Sequence, residues 1–246
     1  MALIKNQSEI SILRIAGKKL HDVLEMAINA AKQGVSLQEL DALIEKSIRE
    51  AGATPSFLGY DGFPNASCLS LNAQVVHGIP TNYKLQDGDL LGIDVGLWFK
   101  GLCVDAARSV VIGTGSADTN KLLKATLEGL KAGIKAAKPF RRIGAISEAV
   151  QEVGEKYHLG IVRALTGHGV GHQVHEDPEI PNFGKSSDGI VIKPGMVLAI
   201  EPMFTLGGAE VVTEIDGWGV VTADKSLAAH FEQTVVITSR GAEILT

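Results

Sequence analysis

The run Leu90-Leu91-Gly92-Ile93-Asp94-Val95-Gly96-Leu97-Trp98-Phe99 has two-residue periodicity. Leu91, Ile93, Val95, Leu97 and Phe99 share one face of the strand it predicts, and Gly92, Asp94, Gly96 and Trp98 share the other. The first face is apolar throughout and suits a core. The second sets a carboxylate between glycines, which opens space around it. A turn at about 99–101 and a returning strand over 102–112 complete a hairpin, with Cys103, Asp105, Ala107 and Ser109 on one face. A tight hairpin would make Asp94 and Asp105 direct cross-strand partners, with Cβ atoms ~4.5–5.5 Å apart, where like charges repel. A pair of divalent ions held by bridging carboxylates would offset that repulsion. Two unrelated acids on a solvated hairpin remain the alternative from these residues alone.

Working outward, apolar residues at three- and four-residue spacing predict a helix over 10–31, stopped by Gly34. Ser36 with Glu39 is a capping-box signal for a second helix over 37–51. Short β-prone runs follow, then helices at about 117–137 and 144–157. Strands return at 161–165, 197–203, 209–214 and 232–238. Gly88-Asp89-Leu90-Leu91-Gly92-Ile93-Asp94 is echoed by Gly195-Met196-Val197-Leu198-Ala199-Ile200-Glu201, a turn glycine and an apolar strand ending in a carboxylate. The pattern predicts a duplicated α+β unit closing around a central site. The expected organisation is a single catalytic domain spanning 1–246, with halves 1–114 and 115–246.

Composition narrows the function. Lys+Arg 23 against Asp+Glu 28 gives a net charge of −5, the wrong balance for binding a phosphate backbone as the main task. No direct nucleic-acid role is expected. Two cysteines, Cys68 and Cys103, cannot build a disulfide framework, which points to a reducing, cytoplasmic compartment. Charges interrupt every apolar run near the N-terminus, so neither a signal peptide nor a membrane span is expected.

Glu201 and Glu232 each sit at the end of an apolar strand, where acids are usually paired, coordinated or shifted in pKa. Thr166-Gly167-His168-Gly169-Val170-Gly171-His172-Gln173-Val174-His175 reads as a glycine-rich turn whose His168 and His175 can reach one cavity. His77, after Val75-Val76, projects from a strand end towards a cleft. His172 reads as a surface or supporting residue, and His21 and His158 as ordinary helix positions. No Gly-x-Ser-x-Gly elbow, P-loop or dinucleotide fingerprint is present. The oxygen-rich set Asp94, Asp105, His168, Glu201 and Glu232 suits a pair of ions such as Co, Mn, Fe or Zn.

These residues, with Leu58-Gly59-Tyr60-Asp61-Gly62-Phe63-Pro64, Val76-His77-Gly78-Ile79-Pro80, His175-Glu176-Asp177-Pro178 and Glu201-Pro202-Met203, resemble the type I methionine aminopeptidases over nearly the whole chain. The resemblance implies the pita-bread fold, two pseudo-symmetric α+β halves around a dinuclear metal site. It implies that Asp94 chelates one ion, Asp105 and Glu232 bridge both, and His168 and Glu201 complete the other ion's shell. It further implies catalysis through Glu201 as proton carrier, His175 at the oxyanion and His77 at the scissile amide or leaving amine. Tyr60, Phe63, Cys68 and Trp218 match the positions lining the methionine pocket. The implied substrates are N-terminal Met peptides and nascent chains with a small second residue, met by a monomer at the ribosome.

Four positions depart from the family's usual pattern: Gly96 for threonine, Cys103-Val104 for histidine-glycine, and Val174 for a larger residue. The helical insertion of type II relatives is absent between Glu201 and Glu232. Prolidase- or aminopeptidase-P-like enzymes share the fold and ligands but usually carry an added N-terminal domain. Metal-free pita-bread binding proteins typically lose ligands, and all five stand here.

Overall fold

The computed structural model describes residues 4–246. Helix α1 (Gln7–Ala30) begins three residues earlier than its apolar stripe, because Asn6 and Glu9 form a capping box. Helix α2 (Leu37–Glu50) starts from the expected Ser36–Glu39 box. Then come β1 (Thr54–Pro55), a turn of 3-10 helix at Tyr60–Gly62, β2 (Cys68–Leu71) and β3 (Gln74–Val76). The hairpin of β4 (Leu90–Phe99) and β5 (Leu102–Val111) follows. Helices α3 (Ala117–Ala136) and α4 (Gly144–Lys156) open the remainder, ahead of β6 (Gly160–Ile161), β7 (Thr166–Gly169), β8 (Glu176–Pro181), β9 (Val197–Ile200) and β10 (Met203–Thr205). The chain ends through β11 (Val211–Thr213), β12 (Val220–Thr222), β13 (Ala228–His230), β14 (Gln233–Thr238) and β15 (Gly241–Ile244).

Strand β4 lies centrally in a sheet with β1, β2 and β5, while β15-β14-β9-β7-β8 form a second sheet. Two three-stranded sheets, β13-β10-β6 and β11-β12-β3, complete the strand layer. The apolar face of β4 packs Leu91, Ile93, Val95 and Leu97 with Leu13, Leu20 and Leu24 of α1 in one buried cluster. In the second sheet Leu198, Ile200, Val235 and Ile237 bury with Leu130 of α3 and Ile146 of α4. Each helix pair therefore backs a strand layer, and both layers turn their opposite faces to a common interior. No described helix is long and apolar enough to cross a membrane.

The hairpin register corrects one expectation. The turn is centred so that Phe99 pairs with Leu102, which sets Gly96 opposite Asp105 and Ala107 opposite Asp94. The two aspartates are diagonal neighbours rather than direct partners. The glycine opposite Asp105 carries no side chain between the two carboxylates, and the Ser56 hydroxyl and Phe57 ring pack over it. The predicted glycine-rich turn is also partly strand, since Thr166–Gly169 pairs with both β8 and β9. The strand expected over 197–203 is broken by Pro202 into β9 and β10. His158 lies beyond α4 at φ 54, in a turn rather than on the helix.

Gly17 marks where α1 meets the end of the chain. A Cβ built there would run into the backbone carbonyl of Leu245. In an isolated helix, glycine to alanine gains about 1 kcal/mol. Here Gly17→Ala should instead cost about 1–3 kcal/mol, as overpacked sites do. Denaturant unfolding checks the sign; a stabilised variant would refute this account of the contact.

Candidate metal and peptide site

The strand layers bring residues of both halves to one cavity. Asp94 comes from β4, Asp105 from β5, His168 from β7, Glu201 from the end of β9 and Glu232 from the link between β13 and β14. One donor atom from each of Asp105, His168 and Glu232 lies within 4.8 Å of the others. The halves are sewn together at this point. Asp105 N–H donates to Thr234 Oγ1 at 3.0 Å, and that hydroxyl donates back to Asp105 C=O at 2.7 Å. Glu232 N–H donates to Ala107 C=O at 2.8 Å.

The electrostatics of the cluster are those of an anion trap awaiting a cation. Burial, then the neighbouring acids, push the Asp94 and Glu232 carboxyls well above the usual carboxylate range. Burial alone does the same to Glu201. Asp105 is raised to about 7 by burial and the charge of Glu201, against a lowering hydrogen bond from Ala106 N–H. Asp94 Oδ1 and Glu232 Oε1 are buried without any hydrogen-bond partner.

His168 supplies the decisive geometry. Its Nδ1 lies 2.9 Å from the carbonyl of Gly169, which can only accept, so the ring proton sits there. Its Nε2 lone pair then faces Glu201 Oε1 at 3.4 Å. A lone pair and a carboxylate oxygen this close call for a proton or a metal ion between them. The buried orphan oxygens and this nitrogen–carboxylate pair fit a divalent metal, and a carbonyl partner on the far ring nitrogen is the usual support of a histidine ligand.

The substrate side of the cavity, whose volume is about 350 Å³, is lined by Phe57, Tyr60, Asp61, Phe63, Cys68, Val76, His77, His175, Met203 and Trp218. Phe63 and Trp218 meet edge to face with ring centroids 5.1 Å apart. Tyr60 Oη lies 3.1 Å from His175 Nδ1, and the His175 ring stands 4.4 Å from that of His168. Burial lowers the pKa of His175 and takes that of His77 down to about 4. His77 holds φ at +59°, an uncommon conformation for a non-glycine residue. The next residue is pinned by Gly78 N–H to Ser70 Oγ at 3.2 Å and Leu69 N–H to Gly78 C=O at 2.9 Å. His172 stands outside the cavity, with Nε2 2.7 Å from Glu9.

Every residue singled out in the sequence for this site therefore reaches one cavity. Sequence reasoning missed His230, at the end of β13, which is buried with Nε2 3.3 Å from Glu201 Oε2. Its only sequence signal was a histidine two positions before Glu232. It also passed over Asp61, Phe57 and Met203, which are ordinary residues until the fold places them.

Residues 11–239 match metallopeptidase family M24. The chain is 45% identical to the methionine aminopeptidase of Clostridium perfringens, covering 100% of this chain and 99% of the relative. This chain belongs to metallopeptidase family M24 and, within it, to the methionine aminopeptidases. The methionine aminopeptidase structure from Thermotoga maritima superposes with a TM-score of 0.98 at 40% identity, over 100% of this chain and 99% of that one. The fold is thus the pita-bread fold. The prolidase of Pyrococcus furiosus is more distant, with a TM-score of 0.82, 26% identity and 100% of this chain matching 65% of that one. Membership of a metallopeptidase family implies a divalent metal, and the Asp105–His168–Glu232 cluster is a candidate place for it.

Metal uptake should release protons. At neutral pH the metal-free cluster holds protons, because its carboxyls titrate above their usual range and Asp105 near 7. A cation displaces them, so affinity should fall as pH drops from about 8 to about 6. Calorimetric titration of Mn²⁺ in two buffers of different ionisation enthalpy measures the effect. About one proton or more per chain is expected; no release at pH 7 would contradict the protonated, metal-free cluster.

Proposed function

We propose that this protein removes the N-terminal methionine from peptides and nascent chains, preferring a small second residue. The observation that carries the reading is the junction, in one cavity, of a buried carboxylate–histidine cluster with an aromatic-walled apolar slot. In this reading Asp94, Asp105, His168, Glu201 and Glu232 hold two divalent ions, of Co, Mn, Fe or Zn. Bound metal supplies Lewis-acid polarisation of the substrate carbonyl and water activation at neutral pH.

The protein's own groups do the rest. Tyr60 Oη and His175 Nδ1 are within hydrogen-bond distance; in this reading the phenol donates, which places the imidazole proton on Nε2, free to stabilise the tetrahedral oxyanion. Glu201 carries a proton from the attacking water towards the leaving amine, and His77 contacts the scissile amide or that amine. The slot formed by Tyr60, Phe63, Cys68 and Trp218 takes the thioether side chain, which sulfur–aromatic contacts favour. Crowding between His77 and the metal cluster restricts the second residue. Halves 1–114 and 115–246 act as one catalytic domain, since the site draws residues from both. Two free, buried cysteines agree with a reducing cytoplasm, where a monomer would meet nascent chains at the ribosome.

His175→Ala should lower turnover by roughly 10²–10³, the usual effect of removing one oxyanion donor, while metal content measured by mass spectrometry stays unchanged. Loss of a metal equivalent would move His175 into the ligand set.

Specificity is tested with Met-X-Ser and X-Ala-Ser peptides on metal-loaded protein. Met-Ala should be cut well, Met-Lys poorly and N-acylated peptides not at all. Norleucine should stand within a few kcal/mol of methionine, because an apolar pocket discriminates single groups by only ~1–3 kcal/mol. Equal cleavage of Met-Lys and Met-Ala, or a requirement for proline in second place with any first residue, would overturn the assignment.

A further inference from the structure

His230 ends β13, which pairs with β10 so that His230 lies opposite Met203, two residues beyond Glu201. Its backbone is fixed on both sides by one hydroxyl. His230 N–H donates to Ser109 Oγ at 2.9 Å, and Ser109 O–H donates to His230 C=O at 2.9 Å. Ser109 belongs to β5, the strand that carries Asp105. The His230 ring thus has its root tied to the opposite half and is only 3% exposed. Its Nε2 is buried with no hydrogen-bond partner. Leaving such a nitrogen unpaired inside a protein is costly.

The atom it faces explains it. Glu201 Oε2 lies 3.3 Å from His230 Nε2, while Glu201 Oε1 lies 3.4 Å from His168 Nε2. Two imidazoles therefore bracket one carboxylate, one at each oxygen, and they differ in what they can offer. The proton of His168 is committed to Gly169 at Nδ1, so its Nε2 presents a lone pair. Nothing comparable fixes the His230 ring proton elsewhere, so its Nε2 can carry it.

We propose that His230 is a positioning residue whose Nε2–H holds Glu201 Oε2, turning the carboxylate so that only Oε1 is presented to a metal beside His168. This rests on the metal-site reading above. A carboxylate free at both oxygens can rotate or take an ion in a bidentate manner; a clamped one offers a single donor in a set direction. Partners of this kind, standing behind the ligands, typically alter metal affinity roughly 10–100-fold when removed.

The test is titration of Co²⁺ into the metal-free full chain, followed by the visible absorption of the ion and by calorimetry. His230→Leu fills similar space without a donor, and His230→Gln restores a donor N–H near the same reach. His230→Asn, polar but too short, replaces the leucine variant if that protein does not fold. The expected result is affinity lowered roughly 10–100-fold with an altered absorption band in His230→Leu or His230→Asn, and recovery of both in His230→Gln. Unfolding of the metal-free forms should show comparable midpoints. Unchanged binding in the variants lacking a donor overturns the clamp. Equal weakening in His230→Gln also overturns it, because the ring nitrogen itself would then be a ligand. Glu201→Gln and His168→Ala run alongside; if they too bind Co²⁺ normally, the metal-site reading fails, and the clamp with it.

Discussion

Repulsion among four buried carboxylates governs this structure. Asp94, Asp105, Glu201 and Glu232 share a cavity whose lining contains no lysine or arginine. Each would prefer water to this interior, and each would prefer distance from the others. The fold holds them there regardless, and a cation is the only partner that satisfies all of them at once. The surrounding backbone works towards that end. The hydrogen bonds from Asp105 to Thr234 and from Glu232 to Ala107 join the halves beside the charges they carry. These bonds fix the backbone of Asp105 and Glu232, and so the roots of their carboxylates.

The same constraint orders the substrate side. A peptide whose amine is drawn to the carboxylate end must lay its first side chain into the remaining space, which the Phe63–Trp218 edge-to-face pair bounds. The His175 ring stands between the two regions, against His168 on one side and Tyr60 on the other. Its loop is held by Glu176, whose carboxylate accepts from the N–H groups of His172 and Gln173 and from Lys5 Nζ. A buried ion pair between Lys5 and Glu176 thereby supports the loop that carries His175.

The alternation in β4 and the capping box of α2 were legible in the sequence because each is a local rule, and the structure keeps both. The ligands were legible because acids at the ends of apolar strands conflict with burial unless something coordinates them. The hairpin register was not, because residue counting cannot tell a turn centred between Phe99 and Lys100 from one centred between Lys100 and Gly101. The difference moved Asp94 from directly opposite Asp105 to the diagonal. His230 was illegible for another reason. Its role depends on β13 folding back against β10, a pairing between short strands with little periodicity of their own. Short strands such as β6 and β10 are defined by partners rather than by pattern, so their limits emerge only in three dimensions.

The departures from the family's usual residues have a common physical basis beside the ligands. A Cβ at Gly96 would collide with Ser56 Oγ and press on the Phe57 ring, so a threonine could not stand there unless the Ser56–Phe57 segment moved. Cys103, opposite Trp98 on β5, is fully buried, and its thiol donates to the carbonyl of Val104. Ser56 and Phe57 therefore pack in the volume that a larger side chain at Gly96 would need. Phe57 in turn forms part of the wall of the cavity. The change is in packing behind Asp94 and Asp105, and both carboxylates keep their place. The carboxylates and the residue that shapes the wall thus share one face of the hairpin, where Ser56 and Phe57 pack on Gly96 beside Asp94 and Asp105.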